Sequence, residues 1–67
     1  MIDITCYPSG DRAEADSPEA AVVAARTLCQ DDLDANPYRG RDRSVVFHFE
    51  DGTGFTVRER DLWTVAL

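Results

Sequence analysis

Apolar and polar residues alternate from the start of the chain. Ile2, Ile4 and Cys6 fall on one side and Asp3, Thr5 and Tyr7 on the other, the period-2 pattern of a strand buried on one face. Pro8-Ser9-Gly10-Asp11 follows. Glycine accepts positive φ, and Ser and Asp bond their own backbone, so the chain is predicted to turn there. Arg12–Ala15, small alanines alternating with charges, reads as a short return strand.

The period changes at Ser17-Pro18-Glu19. Ser is an N-cap, Pro suits the first helical position where no N–H is needed, and an acid in the first turn complements the helix dipole. Val22, Ala25, Cys29 and Leu33 then recur at three- and four-residue steps, with Ala21 and Leu28 beside them. That stripe is predicted to face a core while Arg26, Gln30 and Asp31 point outward. Asn36-Pro37 ends the helix, because the residue before a proline is pushed toward extended backbone.

Two alternating runs, residues 44–50 and 55–60, flank Asp51-Gly52-Thr53-Gly54 and predict a hairpin. Val45, Phe47, Phe49, Phe55 and Val57 are all odd-numbered. They share one face only if the loop has an odd length of three or five residues, and a two-residue Asp51-Gly52 turn would split them between faces. Residues 62–67 continue the odd alternation through Trp63, Val65 and Leu67 and read as a final strand; a short helix capped by Asp61 is the alternative. The pattern predicts one α+β domain over residues 1–67. It is a two-layer structure with an antiparallel sheet of about four strands in the order ββαββ, a possible extra C-terminal strand, and one helix on one face.

Thirteen acids stand against seven arginines in 67 residues, with no lysine and a formal charge of −6. A chain this short buries only about 60% of its unfolded surface, and its net stability is on the order of 3–10 kcal/mol. A deep enzymatic pocket is therefore not expected. The 43% hydrophobic content is enough for a core and argues against disorder. The longest apolar run, residues 20–25, falls far short of the roughly 18–20 residues of a membrane span. Met1-Ile2-Asp3 opens with an acid and leads into no apolar leader. The expectation is a soluble cytoplasmic protein with no membrane partner.

Cys6 and Cys29 have no companions at C-x-x-C spacing, so buried reduced thiols are expected in place of a zinc knuckle or redox dithiol. Asp32-x-Asp34-x-Asn36 imitates half a calcium loop, but Pro37 stands where Gly is needed and Arg43 where a bidentate Glu is needed. His48, the only histidine, falls on the face opposite Phe47, beside Val46 and Thr56 or Arg58, with no partner for a triad. The four glycines make no phosphate cradle. No catalytic, cofactor-binding or metal-ligating residue is predicted.

Surface recognition remains. Tyr38, Arg39, Arg41 and Arg43 form the one basic spot, and together with Trp63 they are residue types enriched at protein-binding hot spots. The competing reading pairs these arginines with Asp31, Asp32, Asp34 and Asp42. Direct nucleic-acid binding is disfavoured by the overall negative field. A second reading treats Asp31, Asp32, Asp34, Glu50 and Asp51 as the phosphate-like surface of a nucleic-acid mimic. A third assigns the sheet edges and the Trp63-Val65-Leu67 tail to a homo-oligomer or an assembly subunit.

The alanine helix opened by Ser17-Pro18-Glu19-Ala20-Ala21 follows a strand and a Pro8-Ser9-Gly10 turn, with Arg used to the exclusion of Lys and many Asp and Ala. In these features the chain resembles small accessory proteins of actinobacteriophages of the mycobacteriophage type. The resemblance implies a factor that binds and redirects a host protein, and it assigns no functional residue. The expectation is a non-enzymatic acidic protein-binding module, an inhibitor or modulator of a host protein, working without a cofactor.

Overall fold

A computed structural model describes residues 1–67. Strands β1 (Ile2–Tyr7) and β2 (Arg12–Ala15) precede helix α1 (Pro18–Ala35), and strands β3 (Ser44–His48) and β4 (Gly54–Arg58) follow it. They form one antiparallel sheet in the order β2-β1-β3-β4. Gly10, at φ +81°, makes the β1–β2 turn possible. Its N–H donates to Cys6 O at 2.7 Å, and the Cys6 N–H donates to Asp11 O at 2.8 Å.

The β3–β4 hairpin has the odd-length loop that the parity of its apolar residues requires. Val45 faces Val57 and Phe47 faces Phe55. The Phe49 N–H donates to Thr53 O at 3.0 Å, enclosing Glu50, Asp51 and Gly52, and Gly52 takes φ +90°. A β-carbon at Gly52 would meet nothing within 4 Å, so backbone conformation, not space, calls for glycine there.

Ser17 Oγ accepts the Ala20 N–H at 3.2 Å and caps α1. Ala21, Val22, Ala25 and Cys29 are buried, whereas Leu28 and Leu33 are half-buried. The helix lies over β1 and β2, where the small side chains allow close approach. Leu62, after β4, is fully buried and joins the core cluster that holds Phe47 and Val57. Phe55 shares the face of Phe47, with ring centroids 6.5 Å apart, but on the edge strand it stays 44% exposed.

Three sequence expectations need correction. No final strand forms: β4 stops at Arg58, residues Glu59–Asp61 make a 3-10 turn, and residues 62–67 are turn and irregular backbone. The buried residue of that segment is therefore Leu62, three positions after the buried Glu59, while Trp63 is 46% exposed. Arg26 does not point free into solvent. Its Nε donates to Leu62 O and its Nη2 to Trp63 O, both at 3.1 Å, fastening the end of the chain to the helix. Asp32, one helical step beyond Cys29, is buried.

The molecule exposes 4132 Å², close to the roughly 4,200 Å² that a folded chain of this mass presents. No helix is long and apolar enough to cross a membrane.

Candidate binding surface

The connector between α1 and β3 is organised around the Asp32 carboxylate. Asn36 closes the helix, its N–H donating to Asp32 O at 2.8 Å and its Nδ2 to Asp32 Oδ1 at 2.8 Å. Pro37–Arg39 form a 3-10 turn. From it, Arg39 Nη1 reaches Asp32 Oδ1 at 3.2 Å and Oδ2 at 3.3 Å. Arg43 completes the set, with Nε donating to Asp32 Oδ2, Nη1 to Gly40 O, and Nη2 to Asn36 O at 3.2 Å.

Charge assistance makes these bonds the strong ones in the connector. The Arg43 hydrogen bond holds the Asp32 carboxyl below its ordinary range, with Asn36 and the Arg39 charge acting in the same direction against the cost of burial. For Arg43, burial opposes the charge. The Asp32 hydrogen bond and the Asp32 and Glu59 charges outweigh it and raise the pKa.

This geometry sorts the candidate residues. Arg43 and Asp32 are 3% exposed each and all three guanidinium nitrogens of Arg43 are occupied, so both are framework and not contact surface. Of the four acids weighed as partners for the arginines, Asp32 is the one that Arg39 and Arg43 meet. Tyr38 is 80% exposed; its hydroxyl donates to Asn36 Oδ1 at 3.1 Å, and the Arg39 guanidinium sits 5.9 Å from its ring centroid. The Arg41 side chain is 55% exposed, and its nearest charge is Glu59, at 3.7 Å. Trp63 lies apart from the connector, on the C-terminal segment, with the Arg26 guanidinium 5.4 Å from its ring centroid.

Beside the connector, Tyr7, Arg41, Arg43, Ser44, Arg58 and Arg60 line an open recess of about 610 Å³. Four of the seven arginines of an acidic chain thus converge on one end of the sheet. Arg58 and Arg60 went unrecognised in the sequence, because they are distant from the Arg39–Arg43 cluster along the chain. Beneath them Glu59 is 1% exposed, and neither of its carboxylate oxygens accepts a hydrogen bond; Arg43 Nη1 stands 4.0 Å away.

The acidic candidates are divided. Asp31 and Asp34 are exposed near the end of α1, where Asp34 accepts from Gln30 Nε2 at 3.0 Å. Glu50 and Asp51 occupy the β3–β4 loop at the far end of β3. Glu50 meets the Met1 ammonium. Asp51 accepts from Thr53 Oγ1 at 2.6 Å and from its N–H at 3.0 Å, and these bonds lower its pKa.

His48 is exposed; it pairs across the sheet with Asp3 and Gly54 and shares its face with Val46, Thr56 and Arg58. Cys6 and Cys29 are free and fully buried. Burial, followed by the neighbouring Cys6 thiol and the Glu59 charge, pushes Cys29 up to about 12. No family model, curated protein or solved structure matches the chain.

Proposed function

We propose that the chain is a non-enzymatic protein-binding module that contacts its partner through Tyr38, Arg41 and the arginine-lined recess. One observation carries the reading. The connector is anchored by the buried Asp32–Arg43 pair and yet displays an 80% exposed tyrosine and a 55% exposed arginine. Aromatic and guanidinium groups held on an ordered backbone lose little entropy on binding, which is why they dominate interface energetics. Arg58 and Arg60 extend the same positive end and suit an acidic surface on the partner. The resemblance to phage accessory proteins adds the partner class, a host protein that the module inhibits or redirects.

The test is affinity capture with the tagged chain at low and high salt, with Tyr38→Ala/Arg41→Ala alongside. The reading expects a stoichiometric protein partner that survives high salt and is lost with the double variant at an unchanged thermal midpoint. A variant that keeps the partner, or a wild type that retains none, contradicts it.

A further inference from the structure

β4 closes one side of the sheet, and no strand pairs with its outer edge. The Phe49 N–H bonds Thr53 O and the Glu59 N–H bonds Arg43 O, in the same register as Phe47 opposite Phe55. Bonded and non-bonded pairs alternate in an antiparallel ladder. The odd-numbered residues of β4 therefore bond β3, and the N–H and C=O groups of Gly54, Thr56 and Arg58 face outward. Edges are normally blunted by proline, lysine, bulges or a covering element. β4 contains no proline or lysine, and α1 lies over the other half of the sheet. The opposite edge, β2, is shorter and alternates charge with alanine.

We propose that β4 pairs antiparallel with β4 of a second copy about a two-fold axis at Thr56, extending the four-stranded sheet across the dimer. In this register Thr56 faces Thr56, and Gly54 faces Arg58 of the second copy. These are the residues whose backbone groups point outward, so the ladder completes without rearrangement. Phe55 faces Val57 of the second copy on the helix side, which covers a ring left 44% exposed in the single chain. The interface is isologous and closes on itself.

Charge selects the direction. One end of β4 carries two exposed arginines, Arg58 and Arg60, the latter's side chain 72% exposed beside an Asp61 that is 65% exposed, with the neighbouring Glu59 buried. The other end leads into the tip carrying Asp51 and Glu50, the latter 75% exposed. Antiparallel pairing sets each copy's Arg58–Arg60 end beside the Glu50–Asp51 tip of the other, and does so twice. Parallel pairing sets like charges together, which is unfavourable. Glu50 also meets the Met1 ammonium and Arg60 meets Asp61 at 3.9 Å. The charged ends therefore fix register and direction, while the backbone ladder and Phe55 hold the copies together.

Sedimentation velocity on the full chain, from micromolar to millimolar concentration, tests this. The wild type should shift from monomer to dimer. Arg58→Glu/Arg60→Glu and Glu50→Arg/Asp51→Arg should each weaken the dimer more than about tenfold, because like charges then meet at both ends. An equimolar mixture of the two should restore it, since opposite charges face again at both ends. Thr56→Pro removes an outward N–H that no internal bond uses and should leave a monomer. Circular dichroism confirms that each variant is folded. A wild type that stays monomeric at millimolar concentration overturns the proposal, as does a dimer that the charge reversals leave intact or the mixture fails to restore.

Discussion

Arg43, the residue before β3, reaches back to Asp32 near the end of α1, and both side chains are at most 2% exposed where they meet. The contact ties the end of the helix to the head of a central strand. The seven residues from Asn36 to Asp42 have no sheet partners of their own. Their order comes from the bonds that Asp32 and Arg43 make to Asn36, Arg39 and Gly40. Tyr38 and Arg41 thus owe their placement to two residues that are themselves buried.

Acid should loosen the structure in a defined window. Asp32 and Asp51 both have pKa values below the ordinary 3.8. A lowered carboxyl contributes stability that is complete above its unfolded value and is lost as pH falls through the folded value. The urea midpoint should hold steady from pH 7 to about 5 and drop below about pH 4. Asp32→Asn should lower the midpoint at pH 7 and flatten the acid limb. A wild-type midpoint unchanged between pH 5 and pH 3 contradicts this.

The thiols should be silent in the native state. Cys6 and Cys29 are fully buried, and Cys29 is pushed up to about 12 by burial and by its neighbours Cys6 and Glu59. Alkylation by iodoacetamide at pH 8 should follow global unfolding and not the chemistry of an exposed thiolate. The raised pKa also favours the native state fully below the unfolded value of 9.0 and loses that effect as pH rises toward 12. Mass spectrometry of the labelled chain, with and without denaturant, checks the first point. Rapid labelling of the folded protein counts against the packing described.

Leu62 and Trp63 are neighbours with different roles. Leu62→Ala should cost about 2–5 kcal/mol, the range for truncating a fully buried leucine. Trp63→Ala, at a half-exposed site, should cost less than half of that. Arg26→Ala should free the end of the chain, since it removes both bonds to the Leu62 and Trp63 carbonyls. Thermal unfolding and limited proteolysis of residues 62–67 measure these effects. A larger loss at Trp63 than at Leu62 reverses the account of that segment.

The parts of the fold that were legible are those with local causes. Ser17 and Pro18 announce a helix because capping acts within one turn. Phe47 and Phe55 announce an odd loop because strand parity is strict. The end of the chain departs from the strand pattern although Trp63, Val65 and Leu67 keep strand parity, because the backbone has already turned helical at Glu59. The relevant signal was the three-residue step from Glu59 to Leu62. The burial of Asp32 is not what the acidic-surface reading expects, because an acid at a helix end is usually solvated. Its position, three residues after Cys29 and seven after Ala25, placed it on the buried stripe. The arginine that makes such burial tolerable lies eleven positions away, and the assembly of Arg41, Arg58 and Arg60 around one recess depends likewise on sheet pairing and not on local sequence.

The central claim, that the Asp32–Arg43 pair holds the connector to the domain, is tested most directly by a double-mutant cycle on thermal stability. Removing one partner of a buried ion pair typically costs about 3–5 kcal/mol, whereas replacing both by apolar groups is often neutral. For a domain of this size each kilocalorie shifts the midpoint by about 4–8 °C. Arg43→Met and Asp32→Leu should each lower it by more than about 12 °C, and the double variant should lie closer to wild type than either. Losses that simply add in the double variant would show that the two residues act independently and contradict the account.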